Sequence, residues 1–270
     1  MELNQKVAVI TGGASGIGRA CALAMGRRGA DVVIADLNEE RTSQVVGELE
    51  ALGRRAVGVR CDVSRDGELE RLAERVITEM GRADLLMNNA GVVLGGPVEK
   101  IPMADWEWIV GINLLGPVRG VRAFLPHMLE RGSGYVVNTA SFAGLVAHNP
   151  LTIPYDTTKH GVVGLSAGLA LYLKPRGIGV SVLCPGYVAT NLPESYRFRG
   201  LEEAGVGPDR MPDAVVTPEE VADKVVAAVE AERFLILSQP EHAKIWARRA
   251  QDVDAHIARQ LEVLAQRPPG

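Results

Sequence analysis

The sequence predicts a doubly wound α/β fold: a parallel seven-stranded sheet with helices on both faces, followed by a C-terminal helical extension. Three observations carry this. Short apolar runs alternate with amphipathic segments of about 10 to 20 residues, the pattern of a parallel sheet covered on both sides. A glycine-rich turn, Thr11-Gly12-Gly13-Ala14-Ser15-Gly16-Ile17-Gly18, joins the first apolar run to the first amphipathic one. No linker, repeat or low-complexity stretch interrupts the chain of 270 residues, so one domain is expected over 1–240, with the extension at 241–270.

Each element has a local reason. Residues 6–11 read as the first strand, 19–28 as a helix closed by Gly29, and 31–35 as the second strand. Asn38 caps a helix reaching Leu52, with Gly53 where a left-handed C-terminal residue belongs. Residues 56–60 give a third strand, Ser64 caps a helix ending at Gly81, and 85–88 give a fourth strand. A long helix follows over 105–130, then a fifth strand over 135–139. The 155–173 segment is apolar on nearly every side, so it is expected to be a helix buried on nearly every side. Residues 180–184 form the sixth strand. The 193–212 stretch, rich in Gly, Pro, Arg and Glu, has no periodicity and reads as a long substrate loop or lid. Thr217, Pro218 and Glu220 match an N-cap, a first-turn proline and a capping-box acid, opening a helix to about 233. Residues 234–238 close the sheet. Beyond 241, Trp246, Ala250, Val253, Ile257, Leu261 and Leu264 recur as one apolar stripe on a helix.

Bulk composition excludes several classes. The net charge of −4 and the absence of clustered basic residues leave no electrostatic footprint for nucleic acid or an anionic membrane. Three scattered cysteines, Cys21, Cys61 and Cys184, lack metal-ligand spacing and argue against a disulfide framework. They read as small buried apolar residues, and no metal site is expected. The N-terminus has no long apolar signal segment, and the 161–173 run is shorter than the roughly 18 to 20 residues that span a bilayer. The expected location is the cytoplasm.

Chemistry is suggested by Tyr155 and Lys159, with Ser141 fourteen residues upstream. On a helix, residues four apart share a face, so an ammonium can lie near the phenol and favour its ionised form. An ordinary tyrosine titrates near pH 10, and a neighbouring cation would make it a usable proton donor or acceptor. The same spacing also occurs as a half-buried tyrosine beside a solvated lysine.

The glycine-rich turn brings backbone amides and a helix N-terminus together, which suits a pyrophosphate. Gly12, Ser15, Gly16, Ile17 and Gly18 belong to it, although its spacing also serves an ordinary strand-to-helix junction. Asp36 ends the second strand, eighteen residues after Gly18, where a carboxylate can accept from ribose hydroxyls. It would repel a 2'-phosphate, and neither Ser15 nor Leu37 supplies a compensating cation. A helix-capping role for Asp36 stays open. Asp62 and Val63 follow the third strand and could meet an adenine. Asn89, Ala90 and Gly91 follow the fourth and permit close backbone approach. Either turn could also be plain loop chemistry.

In this combination the chain resembles the short-chain dehydrogenase/reductase family, in its shorter single-domain branch, over about 6–238. The resemblance rests on Thr11-Gly12-x-x-x-Gly16-x-Gly18, Asn88-Asn89-Ala90-Gly91, Asn113, Ser141, Tyr155-x-x-x-Lys159 and Pro185-Gly186 with Thr190, in that order. It implies a Rossmann-type sheet and hydride transfer between a nicotinamide coenzyme and a secondary alcohol or ketone. Ser141 would bond the substrate oxygen and Tyr155 would exchange its proton. Lys159 would hold the nicotinamide ribose and lower the tyrosine pKa. Asn113 would disturb its helix and hold a water linking Lys159 to solvent. Pro185, Gly186, Val188 and Thr190 would wrap the nicotinamide. The charge logic at Asp36 favours NAD over NADP. The competing class is a Rossmann-type protein that senses NAD, or scaffolds a partner, without turnover. The substrate is expected to be a small apolar alcohol or ketone, and the apolar 155–173 helix predicts a homodimer or homotetramer. His148 reads as a solvent-facing loop residue within reach of a substrate. The resemblance assigns no role to the last thirty residues.

Overall fold

The computed structural model describes residues 1–200 and 215–266. In chain order the elements are β1 (Val7–Thr11), α1 (Gly16–Arg27), β2 (Asp31–Asp36), α2 (Glu39–Ala51), β3 (Ala56–Arg60), α3 (Glu68–Met80), β4 (Leu85–Asn88), β5 (Val93–Gly95), α4 (Met103–Asn113), α5 (Leu115–Arg131), β6 (Gly134–Thr139), α6 (Ile153–Leu173), β7 (Ile178–Cys184), β8 (Tyr196–Phe198), α7 (Pro218–Glu230), β9 (Leu235–Leu237), α8 (Glu241–Gln251) and α9 (Val253–Ala265). Seven strands make one sheet in the order β3-β2-β1-β4-β6-β7-β9, every pair parallel. The expected doubly wound architecture is present.

Side-chain alternation explains the two layers. Ala8 and Ile10 of β1 face a core with Cys21 and Met25 of α1, Leu49 of α2, and Val225 and Val229 of α7. Val7 and Val9 face the opposite core, with Leu72 and Val76 of α3, and Phe124 and Met128 of α5. A strand covered on both sides has no polar face, so it reads as a continuous apolar run. In the register, Thr11 pairs with Ala35 and Asn88, which brings the carboxyl ends of the central strands to one edge. All three cysteines are buried and free.

Several boundaries differ from the sequence expectation. Helix α1 begins at Gly16 rather than Arg19, because the glycine-rich turn itself winds into the first helical turn. Ser64 does not cap α3. Its amide and hydroxyl are bound by Asp62 (3.0 and 2.6 Å), and the helix starts after Gly67, whose φ is +80°. The long helix expected over 105–130 is two helices, parted at Leu114 (φ −112°, ψ −54°). Pro117 has no amide hydrogen to offer the Asn113 carbonyl four residues earlier, so the hydrogen-bond ladder fails there.

Within the single chain, α6 is not buried on nearly every side. Val162, Ser166 and Leu173 face the sheet, but Gly164 and Gly168 are exposed, as are Tyr172 and Leu171, the latter by 82%. The C-terminal stripe is not one helix either. Asp252 adopts extended backbone (φ −152°, ψ 100°) and its carboxylate caps α9 by accepting from the Ala255 amide at 2.8 Å. Part of the 193–212 loop, residues 201–212, lies outside the described residues. What precedes it is ordered by a strand the sequence did not announce: β8 pairs in parallel with β5, Val93 opposite Tyr196. An isolated bridge joins Val188 to Val216.

Candidate functional site

The carboxyl edge of the sheet opens into a cleft of about 410 Å³. Gly12, Ser15, Gly16, Ile17, Asp36, Asp62, Val63, Asn89, Ala90, Gly91, Tyr155, Lys159, Pro185 and Thr190 line it. Gly18, Asn113, Ser141, Gly186 and Val188, also singled out by the sequence, are not among the lining residues and bear on the cleft through neighbours.

Its floor is a set of close approaches. Gly12 has φ +63°, and a Cβ there would lie 2.8 Å from the Ala90 Cα. On Gly18 a Cβ would fall 2.1 Å from the Gly12 carbonyl oxygen, so Gly18 lets α1 pack onto the turn. The Ser15 side chain makes no capping bond and the first turn of α1 carries no acid, which leaves its amides facing the cleft for an anion. Asp36 is fixed by two amides, Ala14 donating to Oδ2 at 3.1 Å and Asn38 to Oδ1 at 3.0 Å. For Asp62, burial raises the carboxyl pKa, but hydrogen bonds from Ser64 and the charge of Arg65 outweigh it and set the net shift downward. A pyrophosphate flanked by ribose hydroxyls fits this donor and acceptor pattern.

The opposite end holds the titrating groups. Lys159 is 4% exposed and its Nζ donates to the Thr139 carbonyl at 3.0 Å, 5.6 Å from the centre of the Tyr155 ring. Burial depresses its pKa to about 8, with Cys184 acting in the other direction. Tyr155 goes the opposite way from the sequence expectation. Burial pushes the phenol up to about 12, and the hydrogen bond with Ser141 lowers it without overcoming that effect. The lysine gives the phenolate little help because burial brings its own pKa down to about 8, so it has lost its charge over the range where the phenol ionises. Ser141 is held in turn: the Ala143 amide donates to its Oγ at 3.1 Å, and that Oγ lies 3.4 Å from the Pro185 carbonyl.

Asn113 works as a brace. Its Nδ2 donates to the Val92 carbonyl (2.9 Å) and to Thr158 Oγ1 (3.2 Å), while its Oδ1 accepts from the Val92 amide (2.9 Å). It thereby ties the Gly91 turn to α6, directly before the break at Leu114. His148 lies on a separate groove beside α9, with its Nδ1 3.2 Å from the Val146 carbonyl.

Sequence reasoning assigned no role to Thr11, Thr139, Arg41 or Glu194. The Thr11 hydroxyl accepts from the amides of Asn89 (3.0 Å) and Ala90 (3.3 Å), and its place at the head of the glycine turn was the available signal. Thr139 lines the cleft and bonds Asn89 through Oγ1 at 3.2 Å. Arg41, one turn into α2, lines the Asp36 end and grips Glu194 through Nη1 (2.8 Å) and Nη2 (3.2 Å). No sequence pattern links residues 153 positions apart.

The family model described as short chain dehydrogenase matches residues 6–198. The chain is 34% identical over 252 residues to a C alpha-dehydrogenase of Sphingobium sp. strain SYK-6, covering 89% of this chain and 82% of that protein. It is also 34% identical over 226 residues to a cyclohexanol dehydrogenase of Acinetobacter sp. strain SE19, covering 83% and 87%. A crystal structure of a short chain dehydrogenase/reductase from Burkholderia phymatum in complex with NAD superimposes with a TM-score of 0.84. It is 32% identical, covering 100% of this chain and 98% of that one.

Proposed function

Because the chain belongs to the short-chain dehydrogenase family, we propose that it is a nicotinamide-dependent oxidoreductase interconverting a secondary alcohol and a ketone, with NAD(H) as favoured coenzyme. The observation that carries this reading is the convergence of a buried ammonium and a phenol at one end of a cleft whose far end presents Asp36, with the Ser141 hydroxyl hydrogen-bonded to that phenol. When bound, the nicotinamide would supply or accept the hydride. The amides of the glycine turn and of the α1 N-terminus would hold the pyrophosphate. Ser141 would orient the substrate oxygen. Tyr155, protonated at neutral pH given its pKa of about 12, suits proton donation to that oxygen during ketone reduction. The reverse reaction needs the phenolate and gains with rising pH.

The coenzyme preference rests on charge. The Asp36 carboxylate is pinned where ribose hydroxyls would lie, and Arg41, which lines the same end of the cleft, is engaged by Glu194. The apolar cluster of Leu94, Ile101 and Ile109, with Trp106 and Tyr155 packed against it, supports a small apolar substrate, as does the cyclohexanol dehydrogenase likeness. Exposed Gly164, Gly168, Leu171 and Tyr172 on α6 support pairing with a second copy as a homodimer or homotetramer. No helix among the described residues is long and apolar enough to cross a membrane, and we propose action in the cytoplasm.

The test is incubation with NAD and NADP, in parallel, against a panel of secondary alcohols that includes cyclohexanol. Tyr155→Phe should cut turnover by about 10² to 10⁴-fold while NADH affinity holds. Near-normal turnover in that variant would remove Tyr155 from the chemistry. Tight NADH binding with no turnover across the panel would favour a coenzyme sensor instead.

A further inference from the structure

The junction between β9 and the C-terminal extension sits against the turn that follows β7. Gln239, 5% exposed, accepts the Gly186 amide at its Oε1 (3.2 Å) and donates from Nε2 to the Tyr187 carbonyl (3.0 Å). Ser238 Oγ accepts the same Gly186 amide at 2.9 Å. Three residues on, the His242 ring stacks on Phe142, centroids 3.8 Å apart and planes 11° from parallel. Phe142 directly follows Ser141, and its amide donates to the Pro185 carbonyl at 2.8 Å. The contacts form a closed circuit from Gln239 to the 185–187 turn, on to Phe142, and back through His242.

We propose that the junction leading into the C-terminal extension is part of the reaction centre, with Gln239, just before the extension, and His242, in its first helix, as positioning residues that fix the 185–187 turn and, through Phe142, the backbone carrying Ser141. This rests on the proposed function, since it takes that turn as the nicotinamide wall. The need for glycine at 186 follows from it: a Cβ there would stand 2.3 Å from His242 Cε1 and 2.7 Å from Gln239 Oε1. His242 contributes shape. Its Nδ1 is buried with no partner among the described residues, and burial lowers its pKa, with Glu241 opposing and His148 reinforcing that shift. A neutral ring stacks on an aromatic face without a charge to desolvate.

The experiment compares Gln239→Ala, His242→Ala and His242→Phe with wild type by three readouts. These are amide hydrogen exchange over 182–190 and 140–147 in the coenzyme-free protein, NADH affinity by fluorescence, and kcat and KM with cyclohexanol. Both alanine variants should exchange about tenfold faster in those two stretches alone and bind NADH about five- to tenfold more weakly, the scale of one or two hydrogen bonds. Their kcat should fall with little change in the KM for cyclohexanol, and His242→Phe, which keeps the stack, should return within about twofold of wild type. Unchanged exchange and affinity in both alanine variants would overturn the proposal. So would faster exchange spread evenly over the molecule, since that marks a purely structural role. Failure of wild type to bind NADH would count against the proposed function, and the exchange result would then decide the clamp on its own.

Discussion

Lys159→Met should stabilise the protein at neutral pH while abolishing the lysine's chemistry. The ammonium is buried with one hydrogen-bond acceptor, and its pKa falls from 10.5 to about 8. At about 1.36 kcal/mol for each tenfold change in proton affinity, that depression costs about 3 kcal/mol. The sign follows from proton counts. Below pH 8 the lysine is charged in both states and the folded state bears the full cost. Between 8 and 10.5 the unfolded chain binds more protons, so stability rises with pH, and above 10.5 the cost is gone. Methionine of similar length removes the charge but leaves the Thr139 carbonyl without its donor, a loss of about 1 kcal/mol. The variant should therefore exceed wild type by about 2 kcal/mol at pH 7, and that advantage should shrink by about 3 kcal/mol on approaching pH 10.5. Paired urea unfolding curves at several pH values measure it. An advantage independent of pH, or a variant less stable at pH 7, would refute the reasoning from burial.

Oxidation of a secondary alcohol should accelerate about tenfold per pH unit between pH 7 and 10, as the phenolate fraction of Tyr155 grows toward its pKa of about 12, while ketone reduction stays flat; a plateau for oxidation below pH 9 in initial-rate profiles would show a much lower effective pKa. Asp36→Ala should weaken NAD binding by roughly tenfold or more, since hydrogen bonds to charged groups contribute about 1.5–3 kcal/mol, and should affect NADP far less. Titration with both coenzymes checks this, and an equal loss for each would contradict it. Asn138→Ala should cost about 2–3 kcal/mol in chemical denaturation, because Asn138 is fully buried, accepts from Asn88 Nδ2 at 2.9 Å and donates to Ser166 Oγ at 3.0 Å. A cost below about 1 kcal/mol would mean the neighbours find new partners.

The platform was legible because parallel strands covered on both faces leave unbroken apolar runs, and because Asn38 and the Thr217–Glu220 pair cap their helices by local rules that the structure obeys. The glycine turn was legible because close backbone approach excludes a Cβ at Gly12 and Gly18. Less visible was whatever depends on distant partners. Strands β5 and β8 are three residues each and gain their shape from one another, with Arg199 Nε bonded to the buried Asp105 at 2.6 Å behind them. The break after Asn113 could have been read from Pro117. The direction of the Tyr155 shift could not be read from spacing, since it is set by how much protein surrounds the phenol. At the far end, a stripe with helical spacing ran through Asp252, whose preference for capping outweighed continuity.

Val188 and Val216 pair in an isolated parallel bridge, so the two ends of the stretch between them meet. Chain closed at its base adds little to the entropy of folding when it is lengthened or shortened, because closure cost grows only with the logarithm of length. A change of length between those two valines therefore costs little in closure entropy, provided that the contacts made within the stretch are kept: Thr190 against Gly16, Glu194 with Arg41, and β8 with β5.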